Sequence, residues 1–405
     1  MAKQALVVYN PTAKSQNPDE SWIARLVAEL GHQDNYVTTL FPTTPETTVK
    51  DIIALLRPDL DLVVAAGGDG TIRSVLAALA EAKSAIPAAL MPLGTGNVLA
   101  RNLGIVDERF FADPLSRAFD PIATGVPVRI DMGMMNGHYF AGMAGAGPLS
   151  DAFMVPEREA KTNFKNLAYA KAMLETMAMP PIIFKVTAAG RTFKVEASGI
   201  FVANVEDLGL GKPCDIRLLT DGYLDLHVLN PKNFAEYVAI GFRFAAGHDD
   251  EKAPHYVLRV KDAIIEVVPK KGLRSRFQDA VNKIRSILEG RPVPESRSQF
   301  IKAMIDGEEV GTTPMRVTVM PHAVTVLVPA ARVEESQEQD KLEHEKAQEE
   351  RSKQSGEPEP VNAKAAAVEG QVVSDSRKSD YEPGEVTAFI NIASTHDGEP
   401  TIAPR

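Results

Sequence analysis

Leu62-Val63-Val64-Ala65-Ala66-Gly67-Gly68-Asp69-Gly70-Thr71 is a short apolar run that ends in glycines and opens onto Thr71-Ile72-Arg73-Ser74-Val75-Leu76. The run reads as a buried strand and the stretch after it as a helix. Glycines let the backbone approach an anion closely, and a helix start offers unpaired N–H groups and a partial positive charge. The arrangement recurs 26 positions on, where Ala88–Met91 leads into Pro92-Leu93-Gly94-Thr95-Gly96-Asn97. One such turn is commonplace in α/β proteins for packing reasons alone. Two of them, the first holding an acid between glycines, point to a polyphosphate and its metal.

Working outward, residues 3–9 read as a strand ended by the turn Asn10-Pro11-Thr12. Residues 19–31 suit an amphipathic helix with Trp22, Leu26 and Leu30 on one face, closed by Gly31. Tyr36–Phe41 reads as a strand, and Thr43-Thr44-Pro45-Glu46 as the cap of a helix over Val49–Leu56. Strands alternating with helices in short units predict a doubly wound parallel sheet. Ligands on such sheets sit beyond the carboxyl ends of the strands, where Asn10, Thr43, Asp69 and Thr95 all fall.

From about Val126 the pattern turns to β-type segments, from Val128–Met132 through Thr192–Ala197 and Tyr223–Leu229 to Met315–Val328, with a helix over Asn166–Met177. A mainly antiparallel β-sandwich follows from it. The expected division is 1–127 as a nucleotide-binding domain, 128–330 as an acceptor domain and 331–405 as a disordered acidic tail. In the tail, 334–353 reads as a transient charged helix, and Val386–Ile392 is an apolar island with no assignment.

Composition excludes several classes. No stretch reaches the ~18 uncharged apolar residues of a spanning helix, and the amino-terminal start does not read as a secretory signal. A cytoplasmic address is the simplest reading. The single cysteine, Cys214, excludes an internal disulfide and a cysteine-cluster metal site. The eight histidines are scattered without ligand spacing. Of the net charge of −10, residues 332–405 carry 17 acidic and 9 basic residues, a net of −8. The acidic balance therefore describes the tail and not what the folded part binds, and no nucleic-acid partner is indicated.

Three distant features complete a set with the glycine loops: Asn10-Pro11, Thr220-Asp221-Gly222-Tyr223-Leu224-Asp225, and Ile305-Asp306-Gly307-Glu308. In this order they resemble the diacylglycerol kinase catalytic family in its soluble bacterial form, related to sphingosine and ceramide kinases. The resemblance runs from residue 4 to about 329, supported by Arg129–Gly133, Ala168-Tyr169, Ala203-Asn204-Val205 and Val326–Pro329.

The resemblance implies an ATP- and Mg²⁺-dependent kinase that phosphorylates a lipid hydroxyl. Nucleotide contacts would come from Asn10, Pro11, Thr43, Gly67, Gly68, Gly70, Thr71, Gly94, Thr95, Gly96 and Asn97. Asp69 would lie near the phosphates and metal, and Asp306 or Glu308 would act as general base across an interdomain cleft. Asp131 is a further candidate for that cleft. A structural Mg²⁺ would take the Asp221 carboxylate with the carbonyls of Leu218 and Tyr223, although Asp-Gly also suits a plain hairpin turn. A homodimer stays open. Thr12-Ala13-Lys14 and the long glycine-rich segment Ala144–Asp151 depart from the family pattern, which leaves the acceptor unnamed.

The largest departure is an insertion at 270–298 with 8 basic and 3 acidic residues, a net of +5. Within it Arg276–Glu289 has apolar residues at helical spacing, which reads as a basic amphipathic helix able to lie on an anionic membrane or to pack on its own domain. The competing functional readings are an NAD kinase-like enzyme and a nucleotide- or lipid-binding regulator without catalysis.

Overall fold

The computed structural model describes residues 2–13, 22–94, 96–106, 116–153, 179–206, 214–231, 233, 236, 255–269, 300–355, 391–394 and 400–403. Lys14, Thr95, the helix expected over Asn166–Met177 and the basic insertion lie outside the described residues.

The first third alternates as expected: β1 (Gln4–Tyr9), α1 (Trp22–Asp34), β2 (Val37–Pro42), α2 (Val49–Ile53), β3 (Leu62–Gly67), α3 (Asp69–Glu81), β4 (Ala88–Pro92), α4 (Val98–Asn102) and α5 (Ser116–Thr124). The strands pair in parallel in the order β4-β3-β1-β2. All six residues of β3 are buried, the uninterrupted apolar pattern of a central parallel strand. α3 buries Ile72, Val75, Leu76 and Leu79 on one stripe at helical spacing. Each such side chain contributes about 1.5–3 kcal/mol of burial, which fixes the helix start against the carboxyl end of β3. One local expectation is corrected. The cap of α2 is not Thr43–Glu46 but Thr48, whose backbone N–H reaches Asp51 at 2.8 Å in a capping box. Thr43 is held instead by β1, donating its backbone N–H to the Tyr9 carbonyl at 2.7 Å.

The antiparallel part comprises β5 (Val126–Met135), β6 (His138–Phe140), β7 (Met143–Ala146), α6 (Pro148–Phe153), β8 (Ile182–Ala188), β9 (Arg191–Ala197), β10 (Gly199–Ala203), β11 (Leu224–Leu229), β12 (His255–Val260), β13 (Asp262–Val267), β14 (Lys302–Ile305), β15 (Glu308–Thr312) and β16 (Met315–Val328). One sheet has the order β12-β11-β10-β7-β14-β15. It shares a core with β8, β9, β13 and β16 of the other sheet, built on Phe140, Phe184, Ile200, Leu226, Ile265 and Val317.

β16 joins the parallel and antiparallel parts. It runs antiparallel to β5 along most of its length and antiparallel to β13 near its start. Near its end Val326 pairs in parallel with Ala88 of β4. Its register breaks between Met320 and Val324, where His322 adopts φ +49°. The sheet is therefore continuous from the nucleotide-type half into the sandwich, and both belong to one compact unit, Met1–Val333 with Ile390–Arg405. Beyond it, α7 (Ala330–Ser355) covers the stretch read as a charged helix. β17 (Asn391–Ser394) begins in the unassigned apolar island and pairs with β18 (Pro400–Ala403). Among the described residues no helix is long and apolar enough to cross a membrane.

Candidate functional site

The two glycine loops pack directly on each other. A Cβ on Gly94 would lie 2.6 Å from Gly68 Cα, and one on Gly96 would lie 2.6 Å from Asp69 Oδ2. These glycines are needed for loop-on-loop contact as much as for approach to an anion. Asp69 is the clasp between them. Its Oδ2 accepts from the Asn97 amide at 2.8 Å and its Oδ1 from the Val98 amide at 2.7 Å. Asn97, in a left-handed conformation, closes its own loop by bonding both backbone groups of Gly94, at 3.0 and 2.9 Å. The amides at the start of α4 are thus already engaged. The start of α3 is different, since Gly68 occupies the N-cap and no side chain caps it. That leaves α3 with a start that no side chain caps, the kind of helix end that suits an anion. Asn10 and Thr43 flank it at the ends of β1 and β2, with Asn10 Oδ1 accepting from the Thr12 amide at 2.9 Å.

Asp306 and Glu308 arrive on the hairpin between β14 and β15. Asp306 and Gly307 both have positive φ, +47° and +83°, which is why Asp-Gly stands at the two central positions. The Asp306 carboxylate turns into the β6–β7 connection, accepting from Ala141 at 3.0 Å, Gly142 at 2.9 Å and Met143 at 2.9 Å. Burial pushes its pKa up, against the pull of those amides and of the nearby Arg73. Glu308 points the other way. It is exposed, its Oε1 stands where a Cβ on Gly70 would fall 2.6 Å away, and its Oε2 pairs with the Arg73 guanidinium. Arg73 also donates to the Ile305 carbonyl at 3.2 Å. Glu308 therefore stands against the first glycine loop, while Asp306 is enclosed by the β6–β7 connection.

Asp131 and Asp221 form a separate group. Asp131 is fully buried on β5, accepting from the Gly222 amide at 2.6 Å and the His322 amide at 2.7 Å, so it ties the Asp-Gly turn to the break in β16. It faces no cleft. Asn204 connects this group to the Asp306 pocket, donating to the carbonyls of Asp131 at 2.9 Å and Ala141 at 3.3 Å. At Asp221, Oδ1 accepts from the Tyr223 amide at 2.8 Å and Oδ2 pairs with the Arg259 guanidinium, which also lies over the Tyr223 ring. A divalent ion held here with the Leu218 and Tyr223 carbonyls would have to displace that guanidinium, whose side chain is about half exposed. Among the described residues, no three of His, Cys, Asp and Glu gather as a metal cluster.

Residues 4–135 match the family model of the diacylglycerol kinase catalytic domain. A diacylglycerol kinase of Bacillus subtilis (strain 168) is 32% identical over 242 residues, covering 59% of this chain and 77% of the relative. The chain belongs to the diacylglycerol kinase family. A diacylglycerol kinase of Staphylococcus aureus (strain bovine RF122 / ET3-1) is 28% identical over 241 residues, covering 58% of this chain and 73% of its own. A crystal structure from Bacillus anthracis str. Sterne shares the fold at a TM-score of 0.58 and 20% identity, covering 81% of this chain and 96% of that one.

Two charged residues beside these motifs, Arg73 and Asp225, were given no role of their own by the sequence. Arg73 sits on α3 among ordinary helix residues, and nothing in its spacing announces Glu308, 235 positions away. Asp225 stands on β11 opposite Ala203, in the cross-strand row that leads through Met143 to the Asp306 pocket. Burial, with the Glu206 charge beside it, pushes its pKa up to about 6. The only available signal was a carboxylate inside the apolar run Leu224–Leu229.

Proposed function

We propose that the cleft transfers the γ-phosphoryl group of ATP, taken as its Mg²⁺ complex, to a hydroxyl of diacylglycerol or a related lipid. The observation that carries this reading is the exposed Glu308 carboxylate standing over Gly70 at the uncapped start of α3. Donor phosphates at that helix start meet backbone N–H groups and the positive end of the dipole. An acceptor hydroxyl between them and Glu308 would form a bond to the γ-phosphorus. The bond to the bridging oxygen breaks, ADP departs with its electron pair, and the hydroxyl proton passes to the Glu308 carboxylate. A carboxylate of ordinary pKa is a weak base in water, so placement must supply the advantage. Asp306, held by three amides, fixes the hairpin that presents Glu308. Asp69 keeps the two glycine loops in contact, while Gly67, Thr71, Asn10, Pro11 and Thr43 line the nucleotide side.

The test mixes the purified chain with MgATP and, separately, diacylglycerol micelles, a sphingoid base or NAD. Lipid phosphate is expected, and NADP in its place would transfer the chain to the rival reading. Glu308→Gln is expected to lower kcat at least ~100-fold, the usual worth of a general base. Activity within tenfold of wild type would remove Glu308 from that role. For membrane contact we propose the basic insertion, which lies outside the described residues. Deleting 272–296 should weaken co-sedimentation with anionic liposomes, and unchanged sedimentation would count against it.

A further inference from the structure

Leaving β17 and β18 aside, β9 ends one sheet of the sandwich and β12 ends the other. Between these two edges Phe193, Val195, Leu226, Val228, Tyr256 and Leu258 line an apolar groove of about 320 Å³. β9 alternates strictly at this edge, with Phe193, Val195 and Ala197 buried and Arg191, Thr192 and Glu196 exposed. On its far side from β8 it would present unpaired N–H and C=O groups. The two strands near the apolar island Val386–Ile392 meet that edge. β18 runs parallel to β9 with Thr401 opposite Lys194, and β17 pairs back onto β18 with Ile392 opposite Ile402. Since successive residues take opposite faces, Thr401 shares the outward row of Lys194, and Ile392 and Ile402 take positions in the row of Val195, which lines the groove. A slip of one residue would put Thr401 in that row instead.

We propose that the β9 edge and the groove beside it form a displaceable strand-docking site, and that its occupant is the segment 391–403 of the same molecule. Register is one argument for that occupant, because the segment offers its apolar positions on the groove side and its threonine on the outward side. Chain length is the other. Residues 356–390 connect α7 to β17, and a tether of about 35 residues keeps the segment near the edge at an effective concentration on the order of millimolar. At that concentration, an affinity of only ~100 μM for the free segment gives about a tenfold excess of the docked form. Docking supplies partners for the outward main-chain groups of β9 and lengthens the sheet beside the apolar lining. A two-stranded ribbon is marginal by itself, so the segment holds its form on the edge and gives it up when released. The apolar island thereby acquires a role as a ligand that the chain carries for its own acceptor-side sandwich, independent of the reaction in the cleft.

Two measurements on the full chain test this. Lys194→Cys combined with Thr401→Cys sets two thiols at opposed positions, where paired strands bring the Cα atoms into disulfide range. The native Cys214 is buried and does not compete. Mild oxidation at micromolar protein should give an intrachain disulfide, read by mass spectrometry of the monomer, whereas Lys194→Cys with Ile402→Cys should give little. In the second measurement, Ile392→Asp with Ile402→Asp should release the segment. Hydrogen exchange of β9 amides should then quicken about tenfold, the docked excess being lost, while β3 amides stay protected. An added peptide of residues 386–405 should restore the protection, and the same peptide with both aspartates should not. A disulfide found only between chains would overturn the proposal and assign the edge to a second copy. Equal disulfide yields at 401 and 402, or β9 exchange indifferent to the aspartates, would overturn it outright. If the aspartate variant loses its fold, β3 exchange shows it, and the disulfide yields still decide.

Discussion

At the scale of single residues, the carboxylates divide by what their oxygens touch. Asp69, Asp131 and Asp306 are each held by two or three backbone amides, and they set loop positions. Among the described residues, Glu308 and Asp225 are not so held. For Asp225 the pH consequence can be worked out. An unfolded aspartate releases its proton near 3.8, whereas the folded one keeps it to about 6. Between those values the folded chain binds the extra proton, so stability should fall as pH rises through this window and stay lower above it. Asp225→Asn should flatten that slope and raise stability at pH 7 by on the order of 2 kcal/mol, somewhat less than the full shift because the group is only half-buried. Denaturant titrations at pH 4 and 7 read it out, and a variant no more stable at pH 7 would contradict it. None of these roles was legible residue by residue. Asp69 stood out as an odd acid between glycines, yet its amide partners lie 28 and 29 positions away, and no local pattern encodes them.

At the scale of elements, the glycine loops and the Asp-Gly turns can be tested directly. Gly94→Ala places a Cβ 2.6 Å from the Gly68 backbone, so the loops must part. A loss of about 1–3 kcal/mol in stability and a marked rise in KM for ATP are expected, because the anion site depends on their contact. An unchanged KM would show that the second loop does not position the first. At the Asp221 turn, melting in the absence of nucleotide should be indifferent to EDTA. Arg259→Ala should cost about 1 kcal/mol and make melting responsive to Mg²⁺. A wild type that melts several degrees lower in EDTA would restore the metal to this turn. Element type was readable here because strand and helix periodicities are local. β3, β4 and α3 lie where their apolar patterns put them, whereas the strand Glu308–Thr312 after the Asp-Gly turn had no apolar alternation to announce it. The helix cap slipped from Thr43–Glu46 to Thr48 because four threonines compete there, and the strand-to-strand bond of Thr43 decides the matter.

At the scale of the whole molecule, one strand sets the behaviour. The order of motifs along the chain gave the family and the two architectures, but not the seam between them, since Val326 meets Ala88 across 238 positions. A strand shared by both halves predicts one calorimetric transition for the compact unit, moved upward by nucleotide; at a hundredfold excess over Kd the gain is about 2.7 kcal/mol. Two separated transitions, with only one responding to ATP, would mean the halves unfold on their own. The same strand also limits how the cleft works. Its register break at Pro321-His322 is held by Asp131, whose buried carboxylate accepts from the His322 amide. The two walls are thus tied by a strand pinned at its register break, closer to one strip of metal than to a jaw on a pin.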